Sequence, residues 1–156
     1  MTTTARGYST SYVVEQSPDE VFAAILDVGA WWTGEVEGRA DEVGAEFTYR
    51  HPPQHYSRQR VASLEPGRRV VWQVTDSHLA FVSEPAEWTG SEIVFDIVAV
   101  KGGTELRFTH VGLVPDVECF GACSTAWLHY VNGSLHSLIT TGQGLPDPWF
   151  SAEPTE

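Results

Sequence analysis

The chain predicts an α+β fold, in which a curved antiparallel sheet of about seven strands grips one long C-terminal helix and two short helices follow the first strand. Three observations carry this expectation. From Glu105 to Val111 (ELRFTHV), Leu106, Phe108 and His110 share one face while Glu105, Arg107 and Thr109 share the other. That period of two marks a half-buried antiparallel strand. From about Val117 to Thr141, Phe120, Cys123, Trp127, Tyr130, Val131, Leu135, Leu138 and Ile139 recur at spacings of three and four and build a wide apolar helix face. At 1.5 Å per residue that helix spans roughly 35 Å, and only a broad sheet covers such a face.

The other elements follow in order. Tyr8 to Glu15 (YSTSYVVE) is rich in β-branched and aromatic residues and reads as the first strand. Ser17-Pro18-Asp19-Glu20 opens a helix. Ser17 caps the amide of Glu20, Pro18 fits the first helical position, and Glu20 reaches back to close a capping box. Val21, Phe22, Ile25 and Leu26 form its apolar stripe, Gly29 interrupts it, and a second short piece holds Ala30-Trp31-Trp32. Glu46 to Arg50 and Arg58 to Glu65 read as strands, separated by a loop, His51 to His55, too proline-rich for regular structure. Pro66-Gly67 turns the chain into a strand from Arg69 to Thr75. His78 to Gly90 is ambiguous, with a short strand at Leu79 to Val82 and a loop at Glu84-Pro85. Ser91 to Val100 is a strand, and Lys101-Gly102-Gly103 turns into the strand at Glu105. Pro115 ends that strand's run, and Gly142 stands where a left-handed C-cap would end the helix. The core is expected over residues 8–142 of a single domain, 1–156, with an extended tail from 143.

Composition narrows the function. At 156 residues, 42% apolar and 19% charged, the chain suits one globular domain with a substantial core. No stretch approaches about 18 uninterrupted apolar residues, so no membrane insertion is expected. The N-terminal residues lack the apolar run of a signal peptide, which makes the cytoplasm the default location. Nine basic against 21 acidic residues leave a net charge of −12, a field that repels nucleic acid and anionic membrane surfaces. Cys119 and Cys123, four apart, fit neither a redox pair nor an unstrained disulfide in a helix, and read as small buried thiols. No nucleophile elbow, phosphate loop, paired-carboxylate motif, dinucleotide fingerprint or zinc spacing occurs, so no catalytic residue, cofactor or metal ligand is assigned.

The segments SPDEVFAAILD, the pair WW, GAEFTYR, VASLEPGRRVVWQV, GGTELRFTHVGL and AWLHYVNGSLHSLITTG together resemble the START-like, SRPBCC helix-grip superfamily. The branch is the one named for similarity to the activator of the heat-shock-protein-90 ATPase. The resemblance covers about Tyr8 to Gly142, and Trp32, Gly103-Thr104, Thr109-His110 and Trp127 are its most specific positions. It implies a seven-stranded sheet around the helix, two short helices closing one end, and a cavity between helix and sheet for an apolar or aromatic molecule. It also allows a homodimer. Co-chaperone activity is not implied, because the eukaryotic activator engages its chaperone through a separate N-terminal domain, and a 156-residue chain is expected to leave no room for one.

Trp72, Phe108, Trp127 and Tyr130 are the foremost candidates to line that cavity, with His110 on the same strand face as Phe108 and with Phe47 and Phe95 beside them. Each also suits an ordinary core. Aromatic faces would hold the ligand by burial, while the phenol, indole and imidazole groups would orient it. His110 reads first as a hydrogen-bonded core residue and second as a ligand contact. His129 and His136, with Asn132 between them, mark a solvated or interface face, and their separation of about 10 Å is too wide to share an ion. His51 and His55 would need Glu46 or Asp41 to make any site. Glu118 complements the helix dipole. Arg60 and Arg107 are expected in cross-strand pairs with Glu92, Asp96 or Glu105. A binding protein for a small hydrophobic molecule is the leading expectation. A cyclase or hydratase using His110 or Tyr130 as acid or base is the second, and an interaction module with a filled core the third.

Overall fold

The computed structural model describes residues 7–32, 35–51, 55–79, 88–113 and 120–144, except the side chains at 35, 51, 55, 79 and 122. The strands are β1 (Gly7–Val14), β2 (Glu35–Gly38), β3 (Glu46–His51), β4 (His55–Glu65), β5 (Arg69–Leu79), β6 (Glu92–Val100) and β7 (Gly103–Val111). They form one antiparallel sheet in the order β1-β7-β6-β5-β4-β3-β2. Strands β2 to β7 run as a meander, while β1 sits at the opposite edge against β7. Between β1 and β2 the chain crosses the sheet through helices α1 (Pro18–Leu26) and α2 (Val28–Trp31).

The alternation expected in β7 is present, with Leu106, Phe108 and His110 buried and Arg107 exposed. The capping box forms as expected, Glu20 N–H donating to Ser17 Oγ at 3.2 Å and Ser17 N–H to Glu20 Oε1 at 2.9 Å. Such a cap stabilises a helix by about 1 kcal/mol. Two register shifts in the β4–β5 ladder, at Arg58/Gln59 and Val61/Ser63, leave Thr75 and Ala62 unpaired. Bulges of this kind bend a strand and raise its twist. Here they curl the longest ladder around the helix.

The C-terminal helix runs without a break through α3 (Phe120–Trp127), a π-helical segment (Leu128–Leu135) and α4 (His136–Thr141). It ends at Gly142, left-handed at φ 85°, whose N–H donates to Leu138 O at 2.9 Å. At Gly144 a Cβ would fall against the Ala30 carbonyl, so glycine lets the chain pass close over α2.

Several boundaries differ from expectation. Trp32 follows α2 as its C-cap in extended conformation instead of lying inside the helix. Strand β2 was not anticipated, because EVEG has a single apolar residue and pairs on one side only. The loop expected at His51 to His55 is shorter, since those two residues already pair in the β3–β4 ladder. Leu79 belongs to β5 and not to a separate strand. The remainder of the expected strand at 80–82, the helix start at 117–119 with Cys119 and Glu118, and the tail from 145 lie outside the described residues. Arg107 pairs with Glu105 on its own strand at 3.0 Å, and the cross-strand pair is Arg69–Asp96 at 3.5 Å.

Candidate functional site

The face of the sheet that meets the helix is lined with aromatic rings. All seven sequence-derived candidates lie there and all are buried: Phe47 on β3, Trp72 on β5, Phe95 on β6, Phe108 and His110 on β7, Trp127 at the end of α3, and Tyr130 in the π segment. Their rings touch in sequence. Phe47 meets Trp72 at 4.9 Å, Trp72 meets Phe95 at 4.9 Å, Phe95 meets Phe108 at 5.2 Å, and Phe108 meets Trp127 at 4.8 Å between centroids. Most of these contacts are edge-on or tilted, the arrangement that ring quadrupoles favour.

Two residues outside the lining candidates hold the centre. Trp31 and Trp32, delivered by α2, both stack nearly parallel to Trp72, at 6.4 and 6.3 Å. Trp32 also lies 4.0 Å from the Tyr49 ring at 10° and 5.2 Å from Trp127. Thus α2 inserts its tryptophans between helix and sheet.

His110 is fully committed. Trp127 Nε1–H donates to His110 Nδ1 at 3.0 Å. An indole can only donate, so Nδ1 must be the bare nitrogen and Nε2 must carry the proton. That proton goes to Ser91 Oγ at 2.8 Å, and the Ser91 hydroxyl in turn donates to the Trp88 carbonyl at 2.6 Å. The circuit ties the helix to β7 and to the turn before β6. Burial pushes the His110 pKa down to about 3. A second ring proton would also face the indole N–H. His110 therefore has neither a free lone pair nor a free proton for acid–base work.

The other end of the interior is polar and uncharged. Tyr49 sits opposite Ser57, and Phe47 opposite Gln59, across the β3–β4 ladder. Ser57 and Gln59 are each fully buried. Gln59 Nε2 donates to Ser57 Oγ at 2.6 Å, but Gln59 Oε1 has no partner, and neither does Trp72 Nε1. On β5, Trp72 lies diagonally across from Gln59 on the same face. The Tyr49 and Tyr130 hydroxyls interact with each other. Burial raises both phenols, and Tyr130 raises Tyr49 further, so both are neutral donors or acceptors and not bases. The π segment brings Tyr130 here, together with His129, whose ring lies 5.3 Å from it and whose buried Nε2 is unpartnered.

Gln59 was missed by sequence reasoning, although a signal existed. In Arg58-Gln59-Arg60 the alternation that exposes both arginines must turn the glutamine inward. The expected solvated face holds only in part, because His129, Asn132 and His136 are half-buried. His136 packs edge-on to Tyr12 at 4.9 Å. Among the described residues no group of three His, Cys, Asp or Glu side chains could hold a metal. The side chains of His51 and His55 lie outside the described set.

This fold has known counterparts. The family described as activator of Hsp90 ATPase homolog 1-like protein matches residues 15–139. The chain belongs to that family. The solution structure of the Aha1 dimer from Colwellia psychrerythraea is similar over 88% of this chain and 98% of that one, with 26% identity and a TM-score of 0.71. A crystal structure of a Chromobacterium violaceum protein covers 86% of this chain and 96% of its own, at 18% identity and TM-score 0.63. DynU16, a putative protein of the dynemicin biosynthetic locus, is similar over 89% of this chain and 49% of its own, at 17% identity and TM-score 0.64. At those lower identities the likeness concerns the fold alone. No curated protein sequence matches the chain. Among the described residues no helix is long and apolar enough to cross a membrane.

Proposed function

We propose that this family member is a cytoplasmic binding protein for a small hydrophobic molecule, aromatic or acyl, held between the sheet and the C-terminal helix with its polar end at Gln59. The observation that carries this is the pair of unmet hydrogen-bonding atoms, Gln59 Oε1 and Trp72 Nε1, buried in a wall of aromatic rings. Leaving a buried polar group unpaired costs about 1–3 kcal/mol. A bound molecule bearing polar atoms removes that cost, and the surrounding rings supply apolar burial at about 25 cal/mol per Å². The closed circuit at His110 weighs against acid–base turnover in this interior.

The test is a thermal-shift screen of small aromatic and acyl compounds on the parent and on Gln59→Leu. Without ligand the variant is expected to melt within a few degrees of the parent, because it loses the unpaired Oε1 together with the bond from Nε2 to Ser57 Oγ. A ligand that raises the parent's Tm should raise the variant's much less. An equal shift in both proteins would remove Gln59 from the site, and with it the reason for placing the ligand there.

Self-pairing is a second reading, favoured by the dimeric state of the similar structure from Colwellia psychrerythraea. Light scattering separates a 17.2 kDa chain from a particle of twice that mass.

A further inference from the structure

Resting on the binding reading above, we propose that the interior selects a neutral ligand, one whose ring system carries a hydrogen-bond donor and acceptor side by side, such as a phenol, a primary amide or a lactam, and that it excludes carboxylates. Of the nine Lys and Arg residues, Arg6 lies outside the described residues and the other eight are exposed. Arg58 and Arg60, the neighbours of Gln59 on β4, are directed to the opposite face of the sheet. His110 is neutral and closed by Trp127 and Ser91. His129 Nε2 is buried without a hydrogen-bond partner. No described Lys or Arg side chain therefore faces the interior, and an unpaired carboxylate buried among Phe47, Trp72 and Trp32 would lose its hydration for nothing. The chain's net charge of −12 opposes an approaching anion as well.

The unmet groups themselves indicate what is bound. Trp72 Nε1–H is a donor and requires an acceptor. The Gln59 amide has one end on Ser57 and the other unpaired. Rotating the amide by half a turn exchanges its nitrogen and oxygen but still leaves one end unmet. A ligand with both a donor and an acceptor suits either orientation. A carboxylate offers acceptors only, and an ester or an alkane fails to offer a donor. The bulge that leaves Thr75 of β5 unpaired lies opposite Arg58 and Gln59, and bulges are common beside binding sites.

The decisive experiment uses four probes of one shape on the full chain at pH 8: 2-naphthamide, 2-naphthol, 2-naphthoate and naphthalene. Affinities are read by thermal shift and by quenching of tryptophan fluorescence. The amide and the naphthol are expected to bind, and the naphthoate at least about tenfold more weakly than the amide. Gln59→Leu should weaken the amide by about tenfold while leaving naphthalene within about twofold. Naphthoate binding as tightly as the amide overturns the neutral-ligand proposal while keeping the cavity as a binding site. If none of the four binds, naphthalene included, the binding reading falls and this proposal with it. The comparison of probes on the parent alone decides between neutral and anionic ligands, whatever the fate of the variant.

Discussion

His110 shows how a residue that invites a catalytic reading is disarmed by its neighbours. Its donor and acceptor are both spent, on Ser91 and Trp127, and it is buried, with its pKa pushed down to about 3. An unfolded histidine titrates near 6.5. Above that value both states are neutral and the group contributes no pH dependence. As pH falls through 6.5 the unfolded chain takes up a proton that the folded chain refuses, so stability is lost between about pH 6.5 and 3. The slope contributed is up to about 1.4 kcal/mol per pH unit. Denaturant titrations from pH 7 to pH 4.5 on the parent and on His110→Asn check this. Asparagine offers a donor and an acceptor but does not titrate, so the variant should start less stable and show a shallower acid limb. Parallel acid limbs would mean that other groups govern the acid response.

At the scale of elements, the C-terminal helix is the case where periodicity was legible and winding was not. Cys123, Trp127, Val131, Leu135 and Ile139 are buried at a strict spacing of four. In an α-helix a step of four overshoots a turn by about 40°, so this stripe would wind away from the sheet. In the wider π turn the same step falls short. Placing the π segment between two α pieces cancels the drift and keeps the stripe straight along the sheet. A run of fours was in the sequence, but its consequence depends on a partner surface that only the assembled sheet supplies. The same limit applies to Gln59, whose direction followed from alternation while its unpaired oxygen followed from packing. By contrast, the capping box, the β7 alternation and the Gly142 cap rest on local stereochemistry and were legible outright. A side chain from the sheet reaches the backbone of the π segment: Tyr12 Oη donates to the Val131 carbonyl at 2.9 Å, with its ring against His136. Tyr12→Phe is expected to cost about 1 kcal/mol and to speed amide exchange over residues 128–135 while leaving α1 unchanged. Exchange that quickens nowhere in 128–135 would show that the hydroxyl does not hold the segment.

For the whole molecule the governing quantity is its one-signed charge. The ion pairs among the described residues, Arg39 with Asp41 and Glu42, Arg69 with Asp96, and Arg107 with Glu105, are solvent-exposed, with each arginine side chain at least 47% accessible. Pairs of that kind contribute at most about 1 kcal/mol each and lose part of it in salt. Against them stands the mutual repulsion of a net charge of −12, which strains the folded chain and opposes contact between two copies. Raising ionic strength from about 0.01 to 0.15 M shortens the screening length from about 30 to 8 Å, less than the width of the domain. Screening should therefore relieve the repulsion more than it weakens the pairs. The expected outcome is a Tm that climbs by a few degrees across that range and a light-scattering mass that rises from 17.2 kDa towards twice that value at fixed protein concentration. A mass fixed at one chain throughout the series would sink the pairing. A mass that falls as salt is added would show an interface held by opposite charges, which a surface this acidic could supply only by concentrating its few arginines at the contact.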